Sequence, residues 1–196
     1  MYALDITTKT VYQYLLSVAW EVDTLVYEDK SKYVYDEDSN PEGLSFKSDG
    51  SKMYILGKQS KRVHQYSLSI FWGIDTATYD NKFKYIGDEE DDCRGIFFKP
   101  DGLKIYVIGI TNDKVHQYLL NVAWEVDTAV YEEKFKYVGD EDTVPYGVSF
   151  KPDGAKMYIV GGTNDTVYQY DLPTVPPAGQ PIALRRRGRY IGGFIR

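Results

Sequence analysis

Apolar and polar residues alternate along this chain in short bursts, and the bursts recur at a fixed spacing. Within residues 43–47, Leu44 and Phe46 are separated by polar neighbours. That two-residue period predicts a short strand with one buried face. Ser48, Asp49 and Gly50 follow as a tight turn, with glycine free to take a positive φ. Residues 52–57, 62–68 and 82–87, each bounded by turn or link residues, predict three more strands. The first two of these are joined by a polar turn at 58–61, as in a hairpin. A longer segment, 69–81, carries Trp72, Asp75, Thr76 and Tyr79 and leads into the fourth strand. An acidic link at 88–92 then enters the next unit.

The unit is 52 residues long and returns without insertion or deletion. Met1-Tyr2 reappears as Met53-Tyr54, Ile105-Tyr106 and Met157-Tyr158. Trp20, Trp72 and Trp124 keep the same step, as do Gly43, Gly95 and Gly147. Four short antiparallel strands per unit, closed by hairpin turns, predict an all-β, β-propeller-type repeat. Helical repeats would need a 3.6-residue period, which none of these segments carries. The strands group as 3 + 4 + 4 + 3, because residue 1 aligns with the second strand of the unit and the last copy stops after its third. Three arrangements fit: the final part of a longer propeller, an open arc capped by another chain, or closure by the segment 181–184. The first is preferred. Open sheet edges favour association, so self-association or membership of a larger assembly is expected.

The run Phe150-Lys151-Pro152-Asp153-Gly154, followed by Lys156-Met157-Tyr158-Ile159-Val160-Gly161 and then by Val167-Tyr168-Gln169-Tyr170, resembles the Pro-Asp-Gly propeller repeats of the YVTN and NHL type. It is most similar to a version found in bacteriophage structural proteins and bacterial surface proteins. There, a Trp-bearing segment ending in Thr-Ala-x-Tyr joins the third and fourth strands. Here that ending is Thr76-Ala77-Thr78-Tyr79 and Thr128-Ala129-Val130-Tyr131. The resemblance covers residues 1–172. It implies a propeller fold and a structural or adhesive role on a virion or outside a cell, with a protein or surface glycan as partner.

Three regions follow: repeats over 1–172, a proline-rich linker at 173–181 and a basic tail at 182–196. The net charge is −6, yet five arginines and no acid lie beyond residue 171. The repeats are therefore acidic, which disfavours nucleic acid and anionic membranes. The tail cluster Arg185, Arg186, Arg187 and Arg189 is the expected binding element for an acidic partner. No stretch has the length of a transmembrane helix, and the first residues lack the basic flank and apolar run of a secretory signal. With one cysteine, Cys93, an internal disulfide is excluded.

Candidate chemistry is sparse. Asp36 and Asp38, Asp88 and Asp92, and Asp140 and Asp142 lie in successive inter-unit links. Carboxylates converging from neighbouring units would suit calcium. No glycine-punctuated calcium loop accompanies them, so a solvated loop is the preferred reading and no metal is expected. His64 and His116 share a repeat position with Tyr12 and Tyr168, which indicates a packing slot rather than a catalytic base. Gln13, Gln65, Gln117 and Gln169 suggest a repeated hydrogen bond to neighbouring backbone. The tryptophans anchor the long link or form a recognition platform; anchoring is preferred. The expectation is a non-catalytic binding or scaffolding protein without cofactor that hydrolyses no lactone. The alternative is a lactonase-like propeller hydrolase with a metal on the acidic links.

Overall fold

Sequence neighbours become sheet neighbours throughout. The computed structural model describes residues 1–172, and their fourteen strands form four antiparallel sheets in chain order. The first holds β1 (Tyr2–Asp5), β2 (Thr10–Leu16) and β3 (Leu25–Tyr33). The second holds β4 (Pro41–Phe46), β5 (Lys52–Gly57), β6 (Arg62–Leu68) and β7 (Ala77–Tyr85). The third holds β8 (Cys93–Phe98), β9 (Lys104–Gly109), β10 (Lys114–Leu120) and β11 (Ala129–Tyr137). The last holds β12 (Pro145–Phe150), β13 (Lys156–Gly161) and β14 (Thr166–Asp171). Each sheet is one propeller blade, and the four do not close a ring.

The Asp-Gly turns work as the sequence demands. Gly50 sits at φ 74°. A side chain there would meet two obstacles, the strain of a positive φ and the ring of Trp72, into which a Cβ would run. Trp72 itself takes φ 67°, an uncommon conformation for a bulky residue, and Trp20 and Trp124 do the same. Stacking offsets that strain in the inner blades. Trp124 lies against Phe98, ring centroids 5.4 Å apart, and Trp72 lies 5.7 Å from Phe46.

The first strand of the unit, expected at 43–47, runs from Pro41 to Phe46, and the fourth differs more. The fourth strand was placed at 82–87, yet β7 runs from Ala77 to Tyr85. The second half of the long link is itself strand, because Ala77, Thr78 and Tyr79 pair with Leu68, Ser67 and Tyr66 across a bulge at Gln65/Tyr66. Only residues 69–76 remain as connection. They close on the Thr76 hydroxyl, which accepts from the Ile70 amide at 3.1 Å and donates to the Gly73 carbonyl at 2.7 Å.

The core lies between blades. Met53, Ile55, Tyr66, Leu68 and Ile74 of the second blade pack on Tyr2, Leu4, Val11 and Val34 of the first. Tyr54, Leu56 and Val63 pack on Phe98, Ile105, Tyr118 and Val126 of the third. Two polar ties repeat with the apolar contact. The Tyr2 hydroxyl donates to the Trp72 carbonyl at 2.7 Å, and the Tyr54 hydroxyl donates to the Trp124 carbonyl at 2.8 Å. The Gln13 side-chain oxygen accepts the Ile74 amide at 3.1 Å, and that of Gln65 accepts the Val126 amide at 3.0 Å. In the first two blades the recurrent glutamine thus bonds the backbone of the following blade, as its repetition suggested; Gln117 bonds Glu132 of its own blade.

Candidate active site

The innermost strands β4 and β12 both approach β8 along the axis of the arc. Glycine permits it: a Cβ on Gly95 would stand 2.8 Å from the Tyr146 carbonyl and 3.1 Å from the Gly147 Cα. The residue before each of these glycines therefore faces its equivalents across the axis. Those three residues are Glu42, Arg94 and Tyr146, an acid, a base and a phenol at one repeat position.

They meet. Arg94 Nη1 donates to Glu42 Oε1 at 3.0 Å. Arg94 Nε stands 2.9 Å from Asp92 Oδ1, and Nη2 donates to Asp92 Oδ2 at 3.3 Å. Lys58, in the loop after β5, holds the same carboxylate at 2.8 Å and 2.9 Å. The Arg94 guanidinium lies 5.7 Å from the centre of the Tyr146 ring. Asp92 and Lys58 also break the repeat: their equivalents are Asn40 and Val144, and Ile110 and Gly162. Two acids and two bases from adjacent blades thus share a half-buried patch with one exposed aromatic face.

Cys93 lies beneath this patch. Burial pushes its thiol up to about 12, and Sγ contacts the Gly57 carbonyl, so it is packed and unreactive at neutral pH. His64 is buried as well. Loss of solvent lowers it to about 4, and its ring bonds Ser60 at 2.9 Å and Tyr79 at 3.3 Å. Both histidines lie away from the axis, in the packing slot assigned to them.

The six link acids divide by role. Asp38 accepts the amides of Asn40 at 2.6 Å and Ser60 at 2.7 Å. Asp142 accepts those of Val144 at 2.8 Å, Asn164 at 3.1 Å and Thr163 at 3.2 Å. These two carboxylates pin the loops between second and third strands, and Glu90 does so in the third blade. Asp36, Asp88 and Asp140 are exposed. Asp92 alone joins the axial cluster. Among the described residues no three His, Cys, Asp or Glu side chains gather as a metal site. A divalent cation also fits poorly at the axis, where Lys58 and Arg94 already hold the oxygens of Asp92 and Glu42. Arg185, Arg186, Arg187 and Arg189, with the linker and tail, lie outside the described residues.

No family model matches the chain, and no curated protein matches it. Solved structures do. A candidate 6-phosphogluconolactonase of Bacteroides uniformis aligns with TM-score 0.59 and 14% identity, over 87% of this chain and 46% of that one. The periplasmic gluconolactonase of Pseudomonas aeruginosa gives 0.57 and 16%, over 87% and 46%. The β-propeller domain of Cps50 (Swd1) from Myceliophteria thermophila gives 0.52 and 8%, over 88% and 50%. The chain spans about half the length of the solved structures it matches, and the likeness establishes a propeller-type fold.

Two expectations are corrected here. A non-catalytic structural or adhesive role on a phage particle or bacterial surface draws no support from these relatives, among which lactonases stand first. The expectation of no enzymatic activity falls with it. The physical reason is the axis. Near-identity of the copies argued against a singular site, but the copies differ where their inner strands converge.

Proposed function

We propose that this chain carries the site of a lactonase-like hydrolase, built from Glu42, Lys58, Asp92, Arg94 and Tyr146 and acting on a sugar lactone. One observation carries the reading: the repeat breaks at its axis into an acid and a base that form an ion pair beside an exposed phenol ring. The names of the gluconolactonase neighbours support the substrate class.

The chemistry requires water to add to the ring carbonyl. Glu42, oriented by Arg94, takes a proton from that water as its oxygen bonds to the carbonyl carbon. Arg94 and Lys58 are the cations available to the oxyanion that develops. Collapse of the tetrahedral species breaks the bond to the ring oxygen. That oxygen receives the proton from Glu42, leaving an open-chain hydroxy acid and the original carboxylate. Tyr146 offers a flat face for the sugar ring. No step runs through a metal, because the loop acids hold backbone amides and the axial acids hold cations.

The test is hydrolysis of glucono-1,5-lactone by the full chain, with the spontaneous rate subtracted. E42Q is expected to lower kcat about 100-fold, with the β spectrum unchanged. R94M is expected to lower kcat and raise KM together. A wild-type rate equal to the spontaneous one, or an E42Q rate equal to wild type, removes the reading.

A further inference from the structure

We propose that two copies of this chain dock head to tail, the Trp20 link of each seated on the β13–β14 face of the other, closing a ring of eight blades. The inference stands apart from the lactonase reading and rests on equivalence between inner and terminal blades.

Inside the arc, the first two blade contacts have the same composition. One blade supplies a tyrosine, a valine and a glutamine from its second and third strands: Tyr2, Val11 and Gln13, then Tyr54, Val63 and Gln65. The next blade supplies a Trp carbonyl and a backbone amide two residues on: Trp72 and Ile74, then Trp124 and Val126. The second contact adds an ion pair, Lys52 to Glu125 at 2.6 Å.

The terminal blades carry both halves of this contact unmatched among the described residues. The last blade presents Tyr158, Val167 and Gln169 at the positions of Tyr54, Val63 and Gln65, and Lys156, at the position of Lys52, pairs at 2.7 Å with Asp171 of its own blade and would exchange that partner on docking. The first presents Trp20, Glu21 and Val22 at the positions of Trp124, Glu125 and Val126. Exposure marks the difference. Trp20 is 95% exposed and Val22 70%, whereas Val126 is fully buried. Val167 is 64% exposed, whereas Val63 is fully buried. Beside Trp20 runs an apolar groove lined by Tyr14, Leu16, Ala19 and Val22. The equivalents Tyr66, Leu68 and Ile74 form core against the preceding blade.

The occupant is specified by charge as well as shape. Docking the two faces in the internal geometry brings Lys156 to Glu21, the Tyr158 hydroxyl to the Trp20 carbonyl, and Gln169 to the Val22 amide. Because the two faces differ, the contact is heterologous, and such contacts form rings when the rotation closes. Each chain spans 46% of the lactonase-type propellers it matches, so two in series span nearly a whole one. Eight blades lie within the range of about 4–8 that propellers adopt.

Sedimentation of the full chain tests this. The wild type is expected as a two-copy species. E21K and K156E should each weaken the dimer about 100-fold, by setting like charges at both contacts. The double variant E21K/K156E should regain it. An equimolar mixture of the two single variants should form mixed dimers, since each contact then pairs opposite charges. A monomeric wild type, as when residues 173–196 cover these faces, overturns the proposal. So does an open-ended polymer, or a dimer indifferent to both reversals.

Discussion

Tyr54→Ala will lower the unfolding free energy by about 4 kcal/mol, whereas Tyr158→Ala, at the same repeat position, will cost under about 1 kcal/mol in dilute solution. Tyr54 is fully buried between two blades, its ring 4.2 Å from that of Phe98 and 6.4 Å from that of Trp124. Truncation leaves a cavity there and strips the Trp124 carbonyl of its donor, so the packing and hydrogen-bond losses add. It also weakens the stacking that holds Trp124 in its positive φ. Tyr158 has no following blade among the described residues and loses little. Urea melts of both variants below the association range would decide. Equal losses would mean that the tyrosine contributes within its own sheet and not between blades.

Acidification is expected to destabilise the chain before its carboxylates titrate. His64 is held down to about 4 from an ordinary 6.5, chiefly by burial, with Asp38 opposing and Arg62 assisting. The unfolded chain therefore binds the proton first. Stability present above pH 6.5 is lost as the pH falls towards 4, by about 3 kcal/mol for this group. His116 shifts in the same direction for the same reason and deepens the loss. The carboxylates act lower. Burial works to raise Glu125, but hydrogen bonds from Lys52, Lys82 and Gln65 outweigh it and bring the group to about 2. Its contribution disappears only as the pH falls from 4.5 towards 2. H64Y, which installs the side chain of the outer copies, should flatten the slope between pH 6.5 and 4. An unchanged slope in H64Y would place the acid sensitivity elsewhere.

Much of the fold was legible because its determinants are local. Residues 52–57 and 62–68 are apolar-rich runs set off by turns, and β5 and β6 have those bounds. The fourth strand was not legible at its start. Ala77, Thr78 and Tyr79 carry no pattern separable from the Trp-bearing link, and their pairing with β6 depends on a bulge. The repeated glutamine announced its hydrogen bond to neighbouring backbone, though not which residue supplies the amide. The axial cluster was missed for a different reason. Aligning copies by what they share hides the column Glu42, Arg94 and Tyr146, whose information lies in disagreement. A signal was present, since that column and its neighbours Asn40, Asp92 and Val144 change charge from copy to copy. That these residues touch follows from the curvature of the arc, which no single unit encodes.

The glutamine ties also have a direction in time. Gln13 precedes Ile74 in the chain, and Gln65 precedes Val126. A polypeptide leaving the ribosome presents its amino end first, and its folded units form in that order. Each amide that must be satisfied on burial thus emerges after the side chain that will receive it. The second and third blades therefore each meet, as they emerge, a template that the chain has already delivered.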